Sequence, residues 1–171
     1  MSGARVLHCF QYVTVPYQRV RELLSRDAAG LFQRATTSAT SRANEIVATL
    51  WARAGEMEIG RDVKITVRGV NQEQSALGDR KTVLEIGWCA ASAPGLFPTM
   101  NATLSAYPLS GTETQLELHG QYQPPFGIVG DAVDAVAGHR IAEASVQRFV
   151  EDVAAQINSE LGEALPSGTA P

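Results

Sequence analysis

Apolar and polar residues alternate through the middle of this chain and recur at helical period towards its end, and the two patterns divide it into elements. Val6 to Val15 is rich in β-branched and aromatic residues and stops at Pro16, which predicts a strand followed by a helix start. Tyr17, Val20 and Leu24 then share one helical face. Ala28, Leu31, Phe32 and Ala35 follow at i, i+3, i+4 and i+7 spacing, so two short helices are expected, with Ser25 or Asp27 capping the second. Thr36 to Arg42 is a run of small and hydroxylated residues without periodicity and reads as a loop over an opening. Five strands are expected beyond it: Glu45 to Ala54, Glu56 to Val70, Lys81 to Ala91, Thr99 to Leu109 and Thr112 to Gln123. Ala54-Gly55, Asn71 to Asp79 and Ser110-Gly111 supply turns between them, and Pro94-Gly95 and Pro98 lie in a longer connection. Sequential hairpins of this kind make an antiparallel meander.

Alternate residues of a strand point to opposite faces, so phase separates an inside from an outside. Leu84, Ile86 and Trp88 share one face, as do Met100, Ala102, Leu104 and Ala106, and then Thr114, Leu116, Leu118, Gly120 and Tyr122. These are the concave positions. Glu85, Glu117, His119 and Gln121 fall on the opposite face, which antiparallel sheets commonly leave to water. The phase of Ile46 to Arg53 stays open, because both registers are partly apolar.

After Pro124-Pro125-Phe126-Gly127 a long helix is predicted, with Asp131 and Asp134 as a cap and first-turn pair and Gly138 as a kink point. Val146, Phe149, Val150, Val153, Ile157 and Leu161 then recur at helical period and form a stripe wide enough to cover a sheet. Gly162 ends the helix, so residues 1–162 read as one domain and 163–171 as a disordered tail.

A chain of 171 residues is long enough to bury about 70% of the surface its unfolded form exposes, leaving material for a core and a cavity beside it. With 14 basic against 18 acidic residues and no Lys/Arg cluster, the electrostatic footprint of nucleic-acid binding is missing. No apolar run reaches the roughly 20 residues of a membrane span, and the first residues carry no uninterrupted apolar stretch of a secretory signal, so a cytoplasmic location is expected. Cys9 and Cys89 make at most one bridge and read as small, semi-buried hydrophobes.

Reactive constellations are not evident. His8, His119 and His139 stand far apart without metal-ligand spacing, so neither a metal nor a cofactor is expected. His8 and Cys9, as strand neighbours, point to opposite faces and cannot pair as base and nucleophile. The glycines of Gly127-Ile-Val-Gly130 start a helix, but Asp131 and Asp134 already supply negative charge there and would repel a phosphate. Glu56, Glu58, Arg61 and Asp62 read as a solvated strand end, and His139-Arg140, near the helix kink, as a pair that salt-bridges to an acid. Trp88 and Tyr122 remain: large aromatics on the concave face either fill a core or stack against a ligand. With Met100, Leu104 and Leu118 on the sheet and Phe149 and Val153 on the helix, they form the candidate ligand-binding set. Ala102, Ala106 and Gly120 on the same face leave space beside them.

Val13-Thr14-Val15-Pro16 leading into Val20 and Leu23-Leu24, the stretch Thr114 to Asp131, and His139-Arg140-Ile141-Ala142 together resemble the START-like or SRPBCC superfamily, in particular uncharacterised bacterial members. That group includes the birch pollen allergen, lipid-transfer START domains and polyketide aromatase/cyclases. The resemblance spans about Val6 to Leu161 and implies an α+β helix-grip fold. In that fold a curved antiparallel β-sheet wraps a long C-terminal helix, two short helices follow the first strand, and a cavity lies between sheet and helix.

Fold does not imply function, so three readings stand. One is a non-catalytic carrier or sensor holding an apolar or amphipathic small molecule in the cavity. The second is an enzyme similar to polyketide cyclases, for which Tyr122 is the concave candidate for proton donor. The third is a protein-interaction module with a packed interior.

Overall fold

A computed structural model of the protein describes residues 5–51, 63–74, 78, 80–90, 99–123 and 132–162. The chain forms β1 (Arg5–Val13), α1 (Tyr17–Trp51), β2 (Val63–Gln74), β3 (Arg80–Ala90), β4 (Thr99–Pro108), β5 (Thr114–Gln123) and α2 (Ala132–Gly162). The strands make one antiparallel sheet in the order β1-β5-β4-β3-β2, so the meander of four consecutive strands is closed by β1 pairing with β5. Both helices join the inner-face residues in one hydrophobic cluster, α2 lying against β1 and α1 and α1 reaching β2. This is the helix-grip α+β arrangement.

The predicted inner positions are buried where their side chains are described, while the outer face is covered in places, at Val83 and partly at Glu117. Leu84, Ile86, Met100, Ala102, Leu104, Ala106, Leu116 and Leu118 are buried, whereas Glu85, His119 and Gln121 are exposed. On α2 the stripe of Val146, Phe149, Val150, Val153 and Ile157 is buried as its spacing requires, with Leu161 partly buried at its end.

The helices depart from expectation in one respect. Two helical segments do follow β1, joined at Asp27, whose backbone is non-helical (φ −148°, ψ 43°). Asp27 is the cap of the second segment: its Oδ1 accepts a hydrogen bond from the Gly30 N–H at 3.2 Å. That segment does not stop at Ala35. Thr36 to Arg42 is helical, not a loop, and Glu45 to Trp51 continues the helix where a strand was expected. The reason lies in the breakers: between Gly30 and Gly55 there is neither glycine nor proline. Ser and Thr cost a helix only a fraction of a kcal/mol each, and the interspersed alanines offset them. Ile46, Val47, Leu50 and Trp51 also fit helical spacing as well as a strand's.

The β2–β3 turn is shorter than expected, since Asn71 to Gln74 still pair with β3 as far as Gln74↔Arg80. Gly78 sits in this turn with φ +89°, a left-handed conformation that a side chain would strain. The expected features at Glu56 to Asp62, Pro94 to Pro98, Gly127 to Asp131 and residues 163–171 lie outside the described residues.

Candidate functional site

The register of the sheet arranges the inner face in rows that run across the strands. One row carries Ile65, Trp88, Met100, Tyr122 and Arg5 on β2, β3, β4, β5 and β1 in turn. The next carries Val67, Ile86, Ala102, Gly120 and Leu7, and the third brings Leu84, Leu104, Leu118 and Cys9 together. Five of the seven candidate ligand-binding residues therefore fall in two of these rows: Trp88, Met100 and Tyr122 in the first, Leu104 and Leu118 in the third. Met100, Leu104 and Leu118 are buried, while the side chains of Trp88 and Tyr122 lie outside the described residues.

Phe149 and Val153 bring α2 onto this face, and both are fully buried. A residue outside the candidate set also takes part: Phe32 of α1 meets Phe149 edge to face, with ring centroids 5.7 Å apart. Its helical spacing places it on the core face, but no sequence signal pairs it with Phe149.

Gly120 is closely approached by its row and by Met100. A Cβ built there would lie 3.2 Å from the Ala102 Cβ and 3.3 Å from the Met100 Sδ. The Met100 thioether thus leans into the space that the small residues open, and an unbranched, polarisable side chain can also leave it.

A polar group marks the other end of the inner face. The Tyr17 hydroxyl at the start of α1 lies 3.0 Å from Thr82 Oγ1 and donates to Gln72 Oε1 at 3.4 Å. Thr82, fully buried, donates to the same Gln72 oxygen at 3.1 Å. Burial of two hydroxyls is tolerated here because each has partners. Nearby, Thr114 Oγ1 donates to the Val15 carbonyl at 2.8 Å, and Asn158 of α2 accepts from the Thr14 N–H at 3.0 Å, tying the β1–α1 connection to both sheet and helix.

Cys9 and His8 point to opposite faces of β1, as their adjacency requires. Cys9 is a free thiol packed against the core, with Sγ 4.0 Å from the Val146 carbonyl. Burial, with a further contribution from the Glu151 charge, pushes its pKa up to about 11 from 9.0. In a Cys89→Ser background, alkylation of native Cys9 at pH 8 is expected to run about 100-fold slower than in the unfolded chain. Equal rates by mass spectrometry would show the thiol to be free of that burial.

The expectation that the histidines stand apart is corrected by the strand pairing. His8↔His119 are direct partners of β1 and β5, and their rings stack with centroids 4.0 Å apart. Glu117, two residues along β5 on the same outer face, takes a hydrogen bond from His8 Nε2 at 2.8 Å and one from His119 Nε2 at 3.3 Å, both on Oε1. Tyr107 donates to its other oxygen at 3.4 Å. Partial burial pushes the Glu117 carboxyl up, but the hydrogen bonds and positive charge of the two imidazoles outweigh it, so its pKa lies below the ordinary carboxylate value. The Tyr107 hydroxyl is raised by burial and then by the Glu117 charge.

Among the described residues no helix is long and apolar enough to cross a membrane. No family model and no curated protein matches the chain. Among solved structures, a protein of Thermus thermophilus is 13% identical with a TM-score of 0.47, over 91% of this chain and 99% of that one. The Zhui aromatase/cyclase of a Streptomyces species is also 13% identical, with a TM-score of 0.46 over 99% of this chain and 100% of that one. Norcoclaurine synthase of Thalictrum flavum is 8% identical, with a TM-score of 0.40 over 92% and 88% of the two chains.

Proposed function

We propose that this protein binds an apolar or amphipathic small molecule between the inner sheet face and the helices, as a carrier or sensor. The observation that supports it is the pair of adjoining rows at one end of that face. Trp88, Met100 and Tyr122 stand side by side on three neighbouring strands, and directly beside them lie Ala102 and Gly120. Two bulky aromatic positions flanking a flexible methionine, next to two minimal side chains, suit a site whose shape changes when a ligand enters. Burying roughly 200 Å² of ligand apolar surface at ~25 cal/mol per Å² would contribute about 5 kcal/mol before the costs of association. The polar group of Tyr17, Gln72 and Thr82 lies three rows away, about 20 Å along the strands, at the opposite end. The free Cys9 thiol suits a protein of the reducing cytoplasm.

Titration with an environment-sensitive amphipathic dye tests this reading. One dye per chain is expected, with affinity reduced at least about tenfold by Trp88→Ala, since an aromatic side chain contributes ~150–250 Å² of contact surface. Tyr122→Phe keeps the ring and is expected to keep the affinity within about twofold. Dye uptake unaffected by Trp88→Ala would place the binding elsewhere and overturn the proposal.

A further inference from the structure

Outside the interior, the strongest grouping of chemically able side chains among the described residues is on the outer face of the sheet, where β1 and β5 pair. One ring nitrogen of His8, one of His119 and a Glu117 oxygen all lie within 4.8 Å of one another, and both Nε2 atoms lie against the same Glu117 Oε1, at 2.8 and 3.3 Å. We infer that His8, Glu117 and His119 form a binding site for a borderline dication of the Zn2+ or Cu2+ type.

The donor set fits that class. Two imidazoles and one carboxylate suit Zn2+ and Cu2+, whereas Mg2+ and Ca2+ call for oxygen donors throughout. The spacing fits too. Bonds of ~2.0–2.1 Å in a tetrahedral site put neighbouring donors about 3.4 Å apart. His119 Nε2 already lies 3.3 Å from Glu117 Oε1, and His8 Nε2 at 2.8 Å needs to withdraw by a few tenths of an ångström. Three residues fill three positions, which leaves at least one for water or an outside ligand.

The surroundings hold the donors in place. Direct cross-strand pairing fixes the two histidines relative to each other, and the backbone of β5 fixes Glu117 two residues from His119. Tyr107 holds the second carboxylate oxygen, the kind of outer contact that orients a ligating group. With Glu117 as a carboxylate, both Nε2 atoms are placed to donate to it. On metal capture each neutral imidazole carries its proton on Nδ1 instead, freeing Nε2 to ligate, and the rings turn out of their stack so that each plane contains the ion. Because β1 is an edge strand of the sheet, the ion would clamp that edge to β5.

Isothermal titration of the tag-free protein with Zn2+, alongside electron paramagnetic resonance with Cu2+, tests the site. The expected result is one ion per chain, two nitrogen ligands in the Cu2+ spectrum, and a melting temperature that rises with added Zn2+. His8→Ala, His119→Ala and Glu117→Gln should each weaken Zn2+ binding by more than the ~10–100-fold typical for loss of an outer contact. His139→Ala should leave it unchanged. The three ligand variants alter partly or largely exposed side chains, and an unchanged far-UV circular dichroism spectrum shows that each has folded. Absence of Zn2+ binding, or binding that survives both histidine substitutions, would overturn the inference.

Discussion

Replacing Phe149 with alanine is expected to cost about 3–5 kcal/mol of stability, the range for removing a fully enclosed phenyl ring, and to lower Tm by on the order of 10 °C in a chain of this length. Phe149 is where three layers of contact converge. It sits on the buried stripe of α2, meets Phe32 of α1 edge to face, and belongs to the same cluster as the inner sheet residues Leu104 and Leu118. Phe10 makes the comparison: it is 48% exposed on the outer face, and Phe10→Ala should shift stability by no more than about 0.5 kcal/mol. Chemical denaturation of the two variants measures the difference. A Phe149→Ala cost below about 1 kcal/mol would mean that α1 and α2 do not close on each other through this ring.

The second large effect concerns binding. Gly120→Leu places a branched side chain where even a single Cβ lies 3.2 Å from Ala102 and 3.3 Å from the Met100 sulfur. Ala102 belongs to a central strand and cannot retreat, so Met100 is the side chain that must move. Overpacking of this kind costs about 1–3 kcal/mol of stability. A second consequence is that the leucine and the displaced methionine together occupy the proposed ligand space, so the affinity of the protein that remains folded should fall by at least about tenfold.

The sheet was legible because the signal that builds it is local. Period-two alternation over Leu84 to Trp88, Met100 to Ala106 and Thr114 to Tyr122 assigns each residue a face, and burial follows that assignment through Leu84, Leu104 and Leu118. The α2 stripe was legible for the same reason at helical period. Thr36 to Trp51 was not, since Ser, Thr and β-branched residues have weak preferences that context overrides, and a helix continues wherever nothing stops it. Sequence phase also put Glu117 and His119 on one face. What it lacked was the partner: His8 lies 109 residues from Glu117, and only the β1–β5 register brings them together. Pairing between chain ends is a property of topology, which no local pattern encodes. The interior candidates occupy an intermediate position. Their face could be read from alternation, but the alignment of Trp88, Met100 and Tyr122 in one row depends on two hairpin registers that turn lengths alone do not determine.

The central claim is that the inner face takes up a small molecule, and native mass spectrometry of the purified protein titrated with a panel of amphipathic compounds tests it most directly. The account predicts a one-to-one adduct on the wild-type chain, with adduct intensity reduced at least about tenfold in Gly120→Leu while the variant keeps its folded charge-state distribution. An adduct of equal intensity on both proteins, or none on either across the panel, would contradict it.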